Sequence, residues 1–194
     1  WQLRRHDQNV GSKVIMAMTL ITTNSHSGDA DATSSFTSSI DSTYKLYIFK
    51  FIDIHPQTDG GALQFQTNVA GQSGYNETIT SSYFQTNHHE DDDPAELAYA
   101  TGGDQAQGTA FQEIIAYIGN GADESGAGTL WLFNPSNTTY VKHWYSECES
   151  YGAADQAITS FGAGYFNVTG AIDEVQFKMS TGNLNGTIKM YGVG

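Results

Sequence analysis

The sequence predicts an all-β protein, an antiparallel β-sandwich or jelly roll of about eight to ten strands with at most one short helix. Three observations predict it. Apolar residues recur at every second position in many segments, which is the period of a strand. Clusters of Gly, Asn, Ser and Pro separate these segments, as turns do. Apolar residues make up 39% and aromatic residues 12% of the chain, which favours a folded core over disorder.

The first and longest predicted strand is Tyr44–Ile54. Both of its faces are apolar, which indicates a central strand covered on both sides. His55-Pro56 ends it, because proline cannot donate to the ladder. Gly60-Gly61 then turns the chain into the alternating segment Ala62–Gln66. One face of the long strand is predicted to carry Tyr44, Leu46, Ile48, Ile52 and Ile54, and the other Tyr47, Phe49 and Phe51.

The later segments are also predicted to be strands, except that one is predicted to be a helix and another fits both periods. Pro94–Gly102 is predicted to be the one short helix, because it has Pro at its start and Gly at its end. Phe111–Ile118 fits a helical period as well as a strand period, and both interpretations stay open. The predicted strands are Glu77–Phe84, Phe111–Ile118, Gly128–Phe133, Tyr140–Ser146, Ser160–Phe166, Ile172–Met179 and Thr187–Tyr191.

The length of 194 residues predicts a single domain over residues 16–194. Residues 1–15 differ from the rest, because they are basic and lack periodicity. They contain Arg4, Arg5 and Lys13 and precede Met16, which resembles a natural start. We expect a basic N-terminal arm or a translated upstream extension. A signal peptide is the competing interpretation, but its apolar run is short and a small-x-small cleavage site is missing.

Charge and composition exclude several classes of protein. The net charge is −13, and so acidic a chain repels nucleic acid, whose phosphates bind Lys and Arg. No apolar run reaches the roughly 20 residues of a membrane-spanning helix, so we expect no membrane insertion. Cys148 is the single cysteine, which excludes an intrachain disulfide framework.

The densest group of ionisable residues is His88 to Asp93. Its acidic part, Glu90, Asp91, Asp92 and Asp93, is a candidate calcium site, because calcium prefers several carboxylate oxygens. The segment lacks the spacing and the turn glycine of an EF-hand loop. A solvated acidic loop explains it more simply, so we expect no cofactor, with a structural calcium ion as the alternative.

The sequence predicts no enzymatic activity. It contains no nucleophile elbow, phosphate-binding loop, zinc helix or dinucleotide motif. A Cys148–His143 pair could be imagined, but a lone cysteine is most often a small buried apolar residue. Paired carboxylates of the kind used in glycoside hydrolysis remain open, because their separation depends on the fold. The other ionisable candidates for catalysis are Asp53, His55, Glu147 and Asp173.

The aromatic residues are stronger candidates for functional residues than the ionisable ones. Trp and Tyr are enriched at protein interfaces, and sugars stack on exposed aromatic rings. Strands also favour aromatic residues for reasons of packing alone. The candidates for an interface or a glycan-binding face are Trp131, Trp144, Tyr145 and Tyr151.

Five segments resemble a recurrent pattern in structural proteins of marine tailed bacteriophages. They are Tyr44–Phe49, Ile54–Asp59, Leu132–His143, Ala171–Ser180 and Gly186–Gly192. The resemblance covers the chain from Met16 onward and carries over no catalytic residue. It implies a virion component without known chemistry and leaves its position on the particle open. We expect a place on the exterior of the particle, as a homo-oligomer, expected to be a trimer, in contact with capsid or tail proteins.

Two virion roles are compatible with this resemblance. A capsid decoration protein would clamp neighbouring capsid subunits through one apolar patch. A tail-fibre or receptor-binding module would present loops to host surface glycans. We expect decoration, because the chain has no coiled-coil heptads or shaft repeat. A secreted carbohydrate-binding module is a third interpretation, for which a signal peptide would be expected.

Overall fold

The computed structural model describes residues 17–92 and 95–194, and all regular elements in this part of the chain are β-strands. The prediction of an all-β fold is confirmed, with 13 strands where about eight to ten were expected. The strands are β1 Met18–Asp31, β2 Thr33–Phe36, β3 Leu46–Pro56, β4 Gly61–Val69, β5 Ile79–His89, β6 Ala95–Tyr99, β7 Ala106–Gly108, β8 Gln112–Ile118, β9 Gly126–Phe133, β10 Lys142–Gly152, β11 Gln156–Phe166, β12 Ile172–Met179 and β13 Leu184–Val193.

The strands form one antiparallel sheet that folds over into two layers. The larger layer has the order β1-β13-β3-β9-β10-β11-β5, and β6 and β7 both pair with β5. The smaller layer has the order β8-β4-β12-β2. One residue pair, Gly152 with Ile118, joins β10 to β8. On the opposite side the chain passes directly from β1 to β2, so the sandwich is nearly closed into a barrel.

The core between the layers is rich in phenylalanine. Phe177 of β12 lies at its centre, with ring centroids 5.3 to 6.2 Å from four other phenylalanine rings. Each fully buried aromatic side chain contributes about 1.5–3 kcal/mol to folding. The contacting rings belong to Phe36, Phe49, Phe51 and Phe65, which come from β2, β3 and β4.

A β-bulge corrects the predicted faces of β3. Asp53 has a φ of 52°, and the register with β9 shifts between Phe51 and Ile54. The extra residue turns Ile54 into the core, where it is fully buried, and leaves Ile52 39% exposed. The prediction that Ile52 and Ile54 share a face is therefore wrong. Gly186 of β13 lies against this bulge with a φ of 113°.

The predicted helix over Pro94–Gly102 is wrong. Ala95–Tyr99 forms strand β6, which pairs with β5 from His88 to Phe84. A helix this short is unfavourable to nucleate, whereas the segment gains backbone hydrogen bonds as a strand by pairing with the edge of β5. Of the segment Phe111–Ile118, residues Gln112–Ile118 form a strand, β8, rather than a helix.

Strands β1 and β2 had no counterpart in the sequence-based prediction. β1 lies at an edge of the larger layer and is largely exposed on both faces, so its sequence shows no apolar alternation. The predicted arm over residues 1–15 lies outside the described residues. Within residues 17–92 and 95–194 no helix is long and apolar enough to cross a membrane.

Candidate functional site

Two of the predicted interface residues form a stacked pair on the outer face of the larger layer. Trp131 of β9 and Tyr145 of β10 lie directly opposite each other in the ladder. Residues in such a pair project from the same face. Their ring centroids are 4.4 Å apart at an interplanar angle of 12°. Tyr145 remains 37% exposed, so the pair presents an accessible aromatic surface.

The stacked pair continues as an apolar row across five neighbouring strands. Trp131 is paired with Ile48, Ile48 with Tyr191, and Tyr191 with Leu20. With neighbouring strands about 4.8 Å apart, the row from Leu20 to Tyr145 spans roughly 19 Å. Ile48 is 8% exposed, although it is not part of the hydrophobic cluster between the layers. The outer surface therefore has apolar packing of its own.

A second apolar row lies beside the first. On each strand that both rows cross, its residue is two positions away from the residue of the first row. Met18 is paired with Val193, Val193 with Leu46, and Leu46 with Phe133. Met18 is 50% and Phe133 is 41% exposed. We call the two rows together the aromatic face, which comprises Met18, Leu20, Leu46, Ile48, Trp131, Phe133, Tyr145, Tyr191 and Val193.

A row of charged and polar residues borders the first apolar row, on the side away from the second row. Lys189 is paired with Lys50, Lys50 with Thr129, and Thr129 with Glu147. Lys50 Nζ donates to Thr129 Oγ1 at 2.8 Å and lies 5.8 Å from the Trp131 ring centroid. This border of lysines and a glutamate is the polar rim that surrounds the apolar centre of many protein interfaces.

Trp144 does not belong to the aromatic face, and its prediction as an interface residue is wrong. Even-numbered residues of β10 face the core, so the ring packs inside the sandwich and is 2% exposed. It makes an edge-to-face contact with Phe65 at 5.1 Å. Trp144 is therefore a structural residue.

Tyr151 lies at the opposite end of β10 from the aromatic face and is only partly exposed. Its hydroxyl interacts with the Glu90 carboxylate, which raises the pKa of Tyr151 to about 12. The hydroxyl also lies 3.5 Å from Asp155 Oδ1. The tyrosine therefore ties the β5–β6 loop to the β10–β11 turn, apart from the stacked pair.

The candidate calcium segment lies in the loop between β5 and β6. Asp92 accepts a hydrogen bond from His88 Nε2 at 3.0 Å, and its backbone N–H donates to His89. The Glu90 backbone N–H donates to the Asp155 carbonyl. The described residues contain no group of three or more His, Cys, Asp or Glu side chains that could hold a metal ion. Asp93 lies outside the described residues.

The ionisable candidates for catalysis are dispersed. His143 is on the exposed face of β10 and Cys148 on its buried face, so the strand separates them. Burial raises the pKa of the Cys148 thiol to about 12, which disfavours a thiolate. His55 Nδ1 lies 2.8 Å from the Glu124 carbonyl oxygen. Asp53 occupies the exposed bulge of β3, and Glu147 and Asp173 lie in β10 and β12.

A second candidate site is a cleft between the layers, which the sequence-based predictions missed. It lies between β8 and the β11-β5-β6 side of the larger layer and has a volume of about 430 Å³. Its polar lining comes from strands far apart in sequence, including Asn87, Glu96, Glu113 and Gln156. Only the folded topology brings these residues together.

Comparison with known proteins adds no further assignment. No protein-family model, no curated protein and no solved structure matches this chain.

Proposed function

We propose that this chain is a non-enzymatic structural protein on the exterior of a bacteriophage virion, where it decorates the capsid. The single observation that carries the proposal is the aromatic face. Monomeric proteins rarely expose a contiguous apolar patch of this kind without a partner. Placement on a virion rests on the resemblance of five segments to phage structural proteins.

The aromatic face docks against the capsid shell. Its Trp, Tyr, Phe and Met side chains are the types enriched at the centres of interfaces. The border with Lys50 and Glu147 offers both signs of charge, and its contacts at the rim would fix the orientation of the protein. The acidic remainder of the surface, with a net charge of −13 for the chain, keeps the protein soluble before assembly.

Cosedimentation with purified capsids of the encoding phage tests this proposal. The full-length protein is expected to bind, and the double variant Trp131→Ala/Tyr145→Ala is expected to bind about 30-fold more weakly, the effect of losing an interface hot spot of ~2 kcal/mol. Tyr117→Ala is the matched control, because Tyr117 is an exposed tyrosine that lines the cleft instead. Unchanged binding by the double variant would contradict the proposal.

The protein is expected to be a homo-oligomer, with three copies as the predicted number. Analytical ultracentrifugation of the full chain would measure this number. A monomer at all concentrations, with no capsid binding, would contradict both self-association and decoration.

A receptor-binding module of a tail fibre, which recognises host glycans, is the second candidate function. The polar cleft between the layers favours it, because the cleft contains exposed acceptors beside an aromatic ring. A secreted carbohydrate-binding module would have the same chemistry. Immunogold labelling of whole particles separates these alternatives: label on the shell favours decoration, label at the tail favours a fibre, and unlabelled particles favour the secreted module.

A further inference from the structure

The cleft between the two layers contains buried polar groups without partners. Gln156 of β11 lines the cleft and is 7% exposed. Within the described residues, its buried Oε1 has no hydrogen-bond partner, and neither has the buried Oδ1 of Asn87. Buried polar atoms are nearly always paired in folded proteins, because an orphan costs about 1–3 kcal/mol. Two such atoms in the lining of one cleft are acceptors that a hydrogen-bond donor from outside the chain would satisfy.

The charge of the cleft defines the chemistry of that ligand. Glu113 of β8 and Glu96 of β6 line opposite sides, and the described residues of the lining include no basic side chain. Desolvation raises the pKa of Glu113, as expected for a carboxyl group withdrawn from water. An anionic ligand would be repelled by these carboxylates. Glu113 already has a hydrogen bond with Tyr83, and a ligand that donates several hydrogen bonds would pair with the remaining acceptor sites of the two carboxylates.

An aromatic ring lies beside these acceptors. Tyr117 of β8 lines the cleft and is 48% exposed. Its φ of 49° is in the left-handed region, which costs a bulky residue about 1–2 kcal/mol. Such strain is concentrated at binding and catalytic sites. The Tyr117 ring packs over Gly60, where an added Cβ would approach it to 3.1 Å. Because Gly60 has no Cβ, it leaves space for the Tyr117 ring.

A sugar combines the two properties that this cleft selects. Its ring presents C–H groups on one face, which pack against an aromatic ring, and hydroxyl groups around its edge. Each hydroxyl can both donate and accept, so it can pair with a carboxylate and with either end of an amide. The volume of about 430 Å³ lies within the range of small-molecule sites.

We propose that the cleft binds a neutral saccharide, whose ring packs on Tyr117 and whose hydroxyl groups donate to Glu113 and Gln156. The aromatic face takes no part in this binding. This proposal therefore does not depend on the proposed docking of the aromatic face on the capsid.

Isothermal titration calorimetry with the full chain tests this proposal. The probes are glucose, galactose, mannose, N-acetylglucosamine and their common disaccharides, with putrescine as a cationic donor and sialic acid as an anionic sugar. At least one neutral sugar is expected to bind, and neither charged probe is. Binding of putrescine alone, or of no neutral sugar, would overturn the proposal.

Variants locate the binding. Tyr117→Leu keeps apolar bulk but removes the flat ring, and Glu113→Gln keeps the shape but removes the charge. Each is expected to weaken sugar binding at least about tenfold, or ~1.4 kcal/mol. Trp131→Ala is the control and is expected to bind sugar normally. Melting curves verify that each variant is folded.

The same data distinguish failure of this proposal from failure of the proposed function. If Trp131→Ala abolishes sugar binding while Tyr117→Leu does not, the sugar site is on the aromatic face and the cleft proposal is wrong. Capsid cosedimentation uses particles and no sugar, so its result does not depend on the cleft.

Discussion

Replacing Trp144 with alanine is expected to destabilise the protein several times more than replacing Trp131. The two tryptophans lie on adjacent strands, β9 and β10. Trp144 faces the core and is 2% exposed, whereas Trp131 faces outward and stacks on Tyr145. The comparison therefore tests which tryptophan belongs to the fold and which to the aromatic face.

The magnitudes follow from these positions. Removing a buried tryptophan side chain costs about 3–5 kcal/mol, because the transfer free energy is lost and a cavity remains. For Trp144 the lost contacts include the edge-to-face pair with Phe65 at 5.1 Å. Removing Trp131 costs ~1 kcal/mol, since mainly an outward stacked pair is lost. At about 2–4 °C per kcal/mol, the melting temperature falls roughly 6–20 °C for Trp144→Ala and roughly 2–4 °C for Trp131→Ala.

Guanidinium unfolding followed by far-UV circular dichroism measures both variants without relying on the removed fluorophore. Trp144→Phe is the matched control and is expected to fall between the wild type and Trp144→Ala. A Trp144→Ala variant within about 1 kcal/mol of the wild type would refute the reasoning, as would a larger loss for Trp131→Ala.

Three further predictions concern the cleft, the bulge and the acidic loop. Burial raises the pKa of Glu113, so the folded state binds the proton of this carboxyl group more tightly than the unfolded chain does. The free energy of unfolding therefore falls as the pH rises from the ordinary pKa of a glutamate to the raised pKa of Glu113. Glu113→Gln is expected to melt higher than the wild type at neutral pH and equally at acidic pH; equal melting at every pH would contradict this. Gly186→Ala is expected to cost at least about 2 kcal/mol and Gly28→Ala ~1 kcal/mol by denaturant unfolding, because both have positive φ but only a Cβ at Gly186 would collide with the Asp53 carbonyl oxygen. Equal losses would refute the bulge geometry. Chelation by EDTA is expected to leave the melting temperature unchanged, and a fall would indicate a structural cation at the acidic loop.

Alternation of residues predicted strands such as β12 because one face is buried in the core and the other carries polar side chains such as Gln176 and Lys178. Ile172–Met179 is a strand over the predicted residues, and its buried positions recur with a period of two after one irregularity. The same signal failed for β1, an edge strand in which little is buried on either face. It also failed beyond Asp53, since a bulge reverses the faces and leaves no mark in the apolar pattern.

Trp144 shows why the candidate site was only partly predictable. Lys142 and Ser146 share its face of β10, so that face appears polar and exposed in sequence. In the folded protein Lys142 is fully buried, and its Nζ donates to the carbonyls of residues 140, 168 and 169. Two of those carbonyls, of residues 168 and 169, come from a loop distant in sequence, and no local pattern predicts such a pairing. Trp131 and Tyr145, by contrast, form a stacked pair on the outer face, and their role in an interface stays a prediction.

The cleft could not be predicted for a related reason. Glu113, Asn87 and Gln156 are each ordinary strand residues in sequence, and their meeting depends on how β11, β5 and β8 are arranged. The positive φ of Tyr117 is likewise a property of the folded ladder, not of the residue type.

Electron cryo-microscopy of the encoding phage particle tests the central claim most directly. We predict density for this sandwich on the outside of the capsid shell, with Trp131 and Tyr145 turned toward the capsid subunits. Density confined to the tail, or a copy on the shell whose aromatic face points into solvent, would contradict the account.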